Sequence, residues 1–435
     1  MAKMNQGLYC YREKRRTIMT QNKKYKELIQ AYSIESYKNL LRSEQGQLEY
    51  PFIVPGSSSY HNSLWDWDSW LTDIAIRQIM EDQKNSDPQF FQCEKGCVLN
   101  FLNCEAEDGR VPIMVSHDTM IPVLEENIRT NIHKPCLAQH IAFIAQQENG
   151  ELEWIKPVID KLVKFIDYYQ KNCFDASTGL YFWFDDVAIG VDNDPCTFFR
   201  PDESSASIYL NCLMYKELLA MDYICNILGY QEQSYKEAAE RLKKVVNELM
   251  WDERNGFYYS VDINLKPINP NSRYHNGCPR NWSSVIQKID VWSGFLAMWS
   301  GIVSKERAER MVSENLENEK VFRSAFGIRT LGKNEQMYQI VKSGNPSCWL
   351  GPVWGIANYL CFRGLVKYGF VEQAEWLAKA TIELFGEDIE ENGEMHEYYD
   401  PDSGVGVNNS VFQSWNLLVN NMIAWIEGRK CIEEF

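Results

Sequence analysis

Apolar residues recur every three or four positions along most of the chain, which is the spacing of one face of an α-helix. Twelve segments show this pattern, and most have the length of an ordinary globular helix. The pattern predicts helices over residues 25–41, 67–80, 90–102, 137–144, 154–169, 208–228, 235–250, 291–303, 305–313, 354–368, 374–385 and 411–426. The chain is therefore predicted to be mainly helical.

Two short aromatic runs stand apart from the helical pattern. Residues 179–184 and 256–261 each start at a Gly and follow a turn that contains Asp or Asn. Such runs, bounded by turn residues, are typical of short strands. We expect small β-hairpins between helices at both places.

The connections between the predicted helices alternate in length. Residues 229–230 and 368–369 form short turns, whereas residues 175–202, 261–282 and 386–409 form long loops rich in Pro, Gly, Asn and Asp. This alternation favours a closed ring of helical hairpins whose long loops lie on one face, where functional residues are usually found. An irregular helical array that does not close is the alternative.

Composition and charge narrow the class of protein. Hydrophobic residues make up 45% of the 435 residues, enough for a large core. With no low-complexity linker, we predict a single domain over residues 1–435. The net charge of −16 argues against a nucleic-acid partner and against binding to an anionic membrane surface.

The cysteine and histidine patterns bear on location and on metals. The 13 Cys have irregular spacing, which fits free thiols in a reducing compartment. No signal peptide and no membrane-spanning run is evident, so we expect a cytoplasmic protein whose oligomeric state stays open. The six His lack ligand spacing, and neither a nucleophile motif nor a phosphate-binding loop is present. We therefore predict that neither a metal nor a cofactor is needed.

The segment 65–70 has the sequence Trp-Asp-Trp-Asp-Ser-Trp at a predicted helix start. An Asp at this place can cap the helix, and the Trp side chains can belong to the core. The same combination also suits a sugar ring, because indoles stack on its C–H face while a carboxylate accepts hydrogen bonds from hydroxyls. We interpret this segment as a candidate sugar-binding site.

Two further acidic segments lie in predicted loops. Residues 189–195 have the sequence Ile-Gly-Val-Asp-Asn-Asp-Pro, which by itself is an ordinary Asx-rich turn. Residues 392–404 contain Glu394 and Glu397, which in a strand would point to opposite faces. At most one of these two glutamates is expected to face a given cavity.

These segments, with two others, resemble elements of the family 63 glycoside hydrolases in the family's order. Residues 60–70 resemble the W-x-W-D-S element, residues 190–193 resemble G-(L/M)-D-(D/N), and residues 349–360 resemble W-x-G-P-V-W…N-Y-L. Residues 397–404 are similar to E-x-Y-(D/N)-P-x-(T/S)-G, and an aromatic segment follows at 412–415. In size the chain resembles the compact mannosylglycerate and glucosylglycerate hydrolase branch.

The resemblance implies an all-α fold, the (α/α)6 barrel of six helical hairpins, and an exo-acting, inverting hydrolase of small α-glycosides that releases glucose or mannose. It implies that Asp192 is the general acid and Glu397 the general base, with Asp194 and Glu394 as their substitutes. The implied substrate-binding residues are Tyr60, Trp65, Trp67, Asp68, Gly190, Asn193, Trp349, Trp354, Gln413 and Trp415.

Other functions on the same scaffold stay open at this point. A trehalase-like enzyme or another disaccharide α-glucosidase would differ only in its substrate. A sugar epimerase or isomerase would typically use His pairs, and the chain has few His residues. A sugar-binding protein without turnover would not need both carboxylates. The sugar, the linkage and the aglycone, including glycerate, are not determined by these residues.

Overall fold

The computed structural model describes residues 22–117, 131–185, 189–198, 200–230, 234–265, 283–340 and 347–435. The predicted long loops at 175–202 and 261–282 are therefore described only in part, and part of each lies outside the described residues. Within the described part of the chain the helices dominate, and every strand is short.

The α-helices begin and end close to most of the predicted positions. In chain order they are α1 at 22–36, α2 at Ser57–Tyr60, α3 at Asp66–Gln83, α4 at Pro88–Asn103, α5 at Leu137–Gln147, α6 at Ile159–Asn172, α7 at Ile208–Leu228, α8 at Tyr235–Leu249, α9 at Leu296–Ser300, α10 at Lys305–Arg310, α11 at Gly355–Tyr368, α12 at Val371–Asn392 and α13 at Val419–Ile426. Tighter 3-10 turns occupy Tyr37–Leu40, Lys156–Val158, Trp292–Phe295 and Ser414–Leu418, and a wider π-helical turn occupies Met311–Leu316.

Three predicted helix starts are wrong. The helix predicted over 291–303 begins as α-helix only at Leu296, after the 3-10 turn Trp292–Phe295. The helix predicted over 154–169 begins as α-helix only at Ile159, after a 3-10 turn that contains Pro157. Proline disfavours the helical conformation of the residue before it. The helix predicted over 411–426 begins later because Val411 and Ser414 have φ angles of 61° and 27°. Such left-handed backbone cannot continue a right-handed helix.

The strands form small antiparallel sheets. They are β1 Leu41–Arg42, β2 Phe52–Ile53, β3 Ser63–Trp65, β4 Met114–Ser116, β5 Phe174–Asp175, β6 Leu180–Tyr181, β7 Ser205–Ala206, β8 Trp251–Asp252, β9 Phe257–Tyr258, β10 Val261–Asp262, β11 Val285–Ile286, β12 Arg323–Ser324, β13 Gly327–Ile328, β14 Val353–Trp354, β15 Tyr398–Tyr399 and β16 Gly406–Asn408. The predicted hairpins are confirmed as β5–β6 after α6 and β8–β9 after α8. The hairpin β12–β13 and the sheet β14–β15–β16 were not predicted.

The helices differ in how much of their surface is buried. In α8 the buried residues form one stripe, Tyr235, Ala239, Leu242 and Val246, as expected for a helix with one solvent-facing side. In α3 and α7, by contrast, 14 of 18 and 15 of 21 residues are buried, so these helices are largely surrounded by other elements. Two kinds of helix are therefore present, central and peripheral.

The central helices contact one another in series. α3 contacts α5, α5 contacts α7, α7 contacts α9, and α9 contacts α11. α11 contacts the turn Ser414–Leu418, which in turn contacts α3. The peripheral helices α4, α8 and α12 pack on α5, α7 and α11 respectively. No described helix combines the length and apolar content needed to cross a membrane.

Residues 429–435 lie against several central helices, and we call them the closing segment. Arg429 and Lys430 bind Asp82 and Glu81 near the end of α3. The buried Glu434 carboxylate accepts hydrogen bonds from Trp299, Tyr359 and Arg363 on α9 and α11. On α7, Lys216 donates to the carbonyl of Phe435.

The charges under the closing segment are paired. Burial lowers the pKa of Lys216 to about 8, while the negative charge of Glu434 opposes this shift. Burial alone would raise the pKa of Glu434, but the charges of Arg363 and Lys216 outweigh it and lower that pKa. The closing segment therefore neutralises cations that the central helices bury.

Candidate active site

A cavity of about 200 Å³ opens at the N-terminal ends of central helices. The start of α3, the start of α11 and the segment before α13 all contribute to its wall. Ten of the predicted site residues line it: Tyr60, Trp65, Trp67, Asp68, Gly190, Asp192, Trp349, Trp354, Glu397 and Trp415. The volume is small beside pockets for drug-sized ligands, about 300–1,000 Å³, and suits a single sugar ring.

The segment 65–70 enters the cavity where strand β3 becomes helix α3. Trp65 is the last residue of β3, which pairs with β4, and Asp66 begins the helix. Asp66 and Asp68 both lie in the first helical turn, where the helix dipole favours negative charge. The strand-to-helix junction therefore turns Trp65, Trp67 and Asp68 toward the same cavity.

Asp68 is a buried carboxyl at the cavity wall, with 5% of its surface exposed. Its Oδ1 accepts a hydrogen bond of 3.0 Å from the hydroxyl of Ser414. Burial raises the pKa of Asp68 to about 8, and the nearby charge of Asp66 adds to this, while Lys134 and Ser414 oppose it. These surroundings therefore favour the protonated form of Asp68 at neutral pH.

Asp66 has a different role from Asp68, because it binds a lysine. The Nζ atom of Lys134 donates to both Asp66 oxygens at 2.8 and 2.9 Å, and the Lys134 backbone N–H donates to Oδ2 at 2.8 Å. The same ammonium lies 4.7 Å from the centre of the Trp67 ring. Asp66 and Lys134 together fix one wall of the cavity.

Gly190 is required by its surroundings as well as by its backbone. Its φ angle is 68°, and a Cβ at this position would lie 2.7 Å from the Nζ of Lys134. Only glycine combines a left-handed conformation with such a close approach at little cost. The segment that carries Asp192 can therefore lie directly against Lys134.

Asp192 lies in the half-buried turn that follows Gly190 and lines the cavity. The neighbouring Asn193 does not line it. Its Nδ2 donates to the carbonyl of Ser347 at 3.0 Å, and its Oδ1 accepts from the Trp349 N–H at 3.0 Å. Asn193 therefore joins the Asp192 turn to the segment that carries Trp349.

Glu397 directly precedes strand β15 of the sheet β14–β15–β16, and only 4% of its surface is exposed. The Tyr60 hydroxyl donates to its Oε1 at 3.2 Å. The amides of Asn408 and Asn409 both donate to its Oε2, at 3.0 and 2.6 Å. Three polar side chains therefore hold this carboxylate in place.

The protonation of Glu397 reflects a balance between burial and these donors. Burial raises the pKa of Glu397 to about 7, the hydrogen bonds from Asn409, Asn408 and Tyr60 oppose the rise, and the charge of Asp192 adds to it. A carboxylate with a pKa near neutrality is well suited to take up a proton during a reaction. Asp192 and Glu397 line the same cavity.

Aromatic rings form much of the cavity wall. Trp349 and Trp354 stack with ring centres 3.9 Å apart, and Trp67 meets Trp415 edge-on at 5.4 Å. The Trp354 indole N–H donates to the Cys348 carbonyl. Among the described residues, the buried indole N–H groups of three other wall residues have no hydrogen-bond partner: Trp65, Trp349 and Trp415.

Strained backbone is concentrated beside the cavity. Ser57, Asn409, Val411 and Ser414 all have positive φ, between 27° and 61°. Their two segments are joined by backbone hydrogen bonds, from the Ser57 N–H to the Val411 carbonyl and from the Ser414 N–H to the Pro55 carbonyl. Strain of this kind often marks functional sites. Here it fixes Tyr60, Asn409 and Ser414 around the carboxyls.

Besides Asn193, three residues named from the sequence lie away from the cavity wall. Gln413 is buried and donates to the Tyr32 hydroxyl at 3.0 Å. Asp194 is buried and accepts from the Cys196 N–H at 2.9 Å, so it stabilises its own turn, and burial raises its pKa to about 6. Glu394 does not line the cavity either.

Several wall and supporting residues were missed by sequence reasoning. The cavity is also lined by Pro55, Ile113, Asn131, Lys134, Ser347 and Phe412. Asn408 and Asn409 form a polar pair shortly before the aromatic segment at 412–415, and that position was the only signal that could have pointed to them. Among the described residues, no cluster of three or more His, Cys, Asp or Glu could hold a metal ion.

Comparison with known proteins defines the class of the molecule as an O-glycosyl hydrolase. The chain belongs to the family described as the mannosylglycerate hydrolase MGH1-like glycoside hydrolase domain, whose sequence profile matches residues 60–416. The predicted membership of family 63 is thereby confirmed.

The relatives include hydrolases of two kinds. The chain is 22% identical over 456 residues to mannosylglycerate hydrolase MGH1 of Selaginella moellendorffii, covering 92% of this chain and 86% of that protein. It is 28% identical over 432 residues to the cytosolic neutral trehalase of Kluyveromyces lactis, covering 86% of this chain and 54% of that protein. The chain is therefore similar to both groups.

The fold is also similar to that of a solved enzyme. The crystal structure of the family 63 mannosylglycerate hydrolase from Thermus thermophilus in complex with Tris and D-glycerate superposes with a TM-score of 0.67 at 18% identity. The superposition covers 92% of this chain and 100% of that chain. At this level of identity the likeness concerns the fold.

Proposed function

We propose that Asp192 and Glu397 are the general acid and general base with which this glycoside hydrolase cleaves a small α-glycoside with inversion. The observation that carries the proposal is that both carboxyl groups line one cavity of single-sugar size, together with Asp68 and the Trp side chains. Asp192 would give a proton to the leaving oxygen while Glu397 takes one from water on the opposite face of the sugar. Inverting glycosidases use such a pair, about 6.5–9.5 Å apart.

The other wall residues would bind the sugar ring that is released, glucose or mannose. Asp68 would accept hydrogen bonds from sugar hydroxyls once it is ionised. The indole N–H groups of Trp65, Trp349 and Trp415 would donate to the hydroxyl oxygens, and the ring faces would pack against the C–H groups. Because the cavity has room for one ring, we propose that the enzyme acts on the non-reducing end of its substrate.

We propose further that the central helices form the inner ring of an (α/α)6 barrel, within a single domain over residues 1–435. Three observations support this arrangement: the serial contacts that return from the Ser414–Leu418 turn to α3, the peripheral position of α4, α8 and α12, and the likeness to the Thermus fold. The cysteines of the described residues are all free thiols, which supports a cytoplasmic location.

The reaction is tested by proton NMR with a panel of α-glycosides: glucosylglycerate, mannosylglycerate, trehalose and kojibiose. We expect the β-anomer of glucose or mannose to appear first from one of them. Cleavage with retention would contradict the roles given to Asp192 and Glu397. If none is cleaved, either the panel lacks the true aglycone or the chain binds sugars without turnover, and melting-temperature shifts with the panel compounds separate the two. An epimer among the products would indicate epimerisation.

The residue assignment is tested by isosteric variants. Asp192→Asn and Glu397→Gln should each lower kcat at least about 100-fold while the melting temperature stays close to that of the wild type. Asp194→Asn and Glu394→Gln are the matched controls, and they should keep most of the activity because neither residue lines the cavity. The assignment is wrong if a control variant is inactive and its counterpart in the cavity is active.

A further inference from the structure

The two oxygens of the Glu397 carboxylate have different surroundings. A carboxylate oxygen can accept about two hydrogen bonds in its own plane. Oε2 already accepts two, from the amides of Asn408 and Asn409, whereas Oε1 accepts one, from the Tyr60 hydroxyl. Among the described contacts, therefore, Oε1 is the oxygen that can still accept one more hydrogen bond.

The amide of Asn409 is well fixed. Its Nδ2 donates to the Tyr60 hydroxyl at 3.3 Å as well as to Glu397, and its Oδ1 accepts from the Ser59 hydroxyl at 3.2 Å. Its backbone has a φ of 35°, a conformation that non-glycine residues adopt at a cost in energy. With the backbone in this conformation, the Asn409 amide donates to the carboxylate.

We propose that Asn409, aided by Asn408, is a positioning residue that saturates Oε2 of Glu397, so that Oε1 is the oxygen that removes the proton from the attacking water. The inference rests on the proposed role of Glu397 as base and adds the atom that acts. Asn409 touches neither water nor sugar in this scheme.

In the hydrolysis step, the glycosidic bond breaks and two protons are transferred. An O–H bond of the water breaks and its proton binds Oε1, while the water oxygen forms a bond to the anomeric carbon. The glycosidic C–O bond breaks, its electron pair stays with the leaving oxygen, and that oxygen receives the proton of Asp192. Glu397 ends protonated and Asp192 ionised, and proton exchange with solvent restores both.

Donors to Oε2 stabilise the ionised carboxylate, so their loss should make Glu397 harder to ionise. The titratable groups whose charges act on or respond to Glu397 include Tyr60, Asp192, Asp68 and Tyr398, and all four are acids. The cation Lys134 lines the same cavity but is paired with Asp66. None of these four supplies a positive charge that would replace the two amides.

The experiment compares pH profiles of kcat/KM for the wild type and for Asn409→Gly. Glycine accepts the left-handed backbone without strain, so the variant removes the amide and should leave the fold intact. The acid limb of the profile should move to higher pH by about one unit, with about a 10-fold loss at pH 6 and little loss at pH 9. Asn408→Ala should move it in the same direction.

Asn149→Gly is the matched control, since Asn149 also has a positive φ, of 55°, but lies in an exposed position after the C-terminal end of α5. It should keep the wild-type profile. A wild-type acid limb in Asn409→Gly overturns the inference, and so does a uniform loss at every pH.

A crystal structure tests which oxygen of Glu397 acts as the base. In a complex with an unreactive substrate analogue, a water should lie within hydrogen-bond distance of Oε1, and a water bound to Oε2 would overturn the inference. The proposed function fails separately, if Glu397→Gln stays active. An inactive Glu397→Gln together with an unshifted Asn409→Gly would contradict only the role of Asn409.

Discussion

The two ends of the central helices bury charge in opposite ways. At the closing segment, the carboxylate of Glu434 lies among Arg363 and Lys216, and its pKa is lowered. At the cavity, Asp68 and Glu397 are buried to a similar extent, but other acids are their neighbours, and their pKa values are raised to about 8 and about 7. Burial raises the pKa of all three carboxyls and is the largest cause at the cavity, whereas at Glu434 the neighbouring cations outweigh it.

This difference in the pKa values of buried carboxyls assigns the two ends of the helices to different tasks, stability at the closing segment and function at the cavity. At the closing segment the charges of Arg363 and Lys216 lower the pKa of Glu434, so this carboxylate stays ionised at neutral pH. The cavity keeps carboxyls whose ionised forms are disfavoured, which costs stability but gives groups that titrate where a reaction needs them. Variants at each end should therefore change different properties.

The largest change in the free energy of unfolding is expected for a variant of the closing segment. Glu434→Ala removes the acceptor of Arg363, Tyr359 and Trp299 and leaves buried cations without their partner. The free energy of unfolding, measured in urea, should fall by about 3–5 kcal/mol, with kcat little changed at low temperature. Glu433→Gln is the control, because its exposed pair with Arg363 should contribute about 1 kcal/mol or less. Equal stability of Glu434→Ala and the wild type would refute this role.

A smaller change in stability, of opposite sign, is expected when Asp68 is replaced. Its pKa of about 8 in the folded protein exceeds the ordinary value of about 3.9, so the unfolded chain loses this proton first as pH rises. The protonated Asp68 carboxyl gives its full contribution to the free energy of unfolding below about pH 4, and this contribution is lost progressively up to about pH 8. Asp68→Asn should therefore match the wild type at pH 4 and be more stable by about 2 kcal/mol or more at pH 8 to 9.

Calorimetric melting temperatures across that pH range check the Asp68 prediction. The amide oxygen of Asn can still accept the Ser414 hydrogen bond, so the comparison isolates the charge. Parallel curves for the two proteins between pH 4 and pH 9 would show that the Asp68 carboxyl titrates normally.

The smallest changes in the free energy of unfolding are expected when either of two corresponding tyrosines, one at each end, is replaced. Tyr60 donates to Glu397 at the cavity, and Tyr359 donates to Glu434 at 3.1 Å under the closing segment. Tyr60→Phe should lower kcat about 10-fold, with less than about 1 kcal/mol lost in stability. Tyr359→Phe should lose about 1 kcal/mol of stability with kcat unchanged. The comparison of the two ends fails if both variants behave alike.

Much of this arrangement could be predicted from the sequence. Helical spacing located most of the helices, and the ordered motifs led to the residues of the cavity wall. Periodicity could not find the late α-helix starts at Ile159 and Val419, because a proline and left-handed backbone decided them locally. The sheet that holds Glu397 has strands of two or three residues, too short for any alternating pattern.

The supporting contacts were harder to foresee than the wall. Lys134 was missed because its ion pair with Asp66 joins positions 68 residues apart. Asn193 and Gln413 belong to the right motifs, but their side chains bind neighbouring segments of protein. A motif identifies a segment near the site, and only the fold decides which of its side chains face the cavity.

The contacts between distant parts of the chain also have a consequence for folding. Tyr60 and Glu397 are separated by 337 positions, and Asp68 and Ser414 by 346. Contacts between such distant positions form late, because closing a long loop costs chain entropy before any contact repays it. The helices can assemble locally, and Glu397 lies only 11 and 12 positions from Asn408 and Asn409. Its contact with Tyr60 and the contact of Asp68 with Ser414 form only when distant parts of the chain meet. Recovery of enzymatic activity therefore reports the last step of folding, whereas recovery of helical structure reports the early ones.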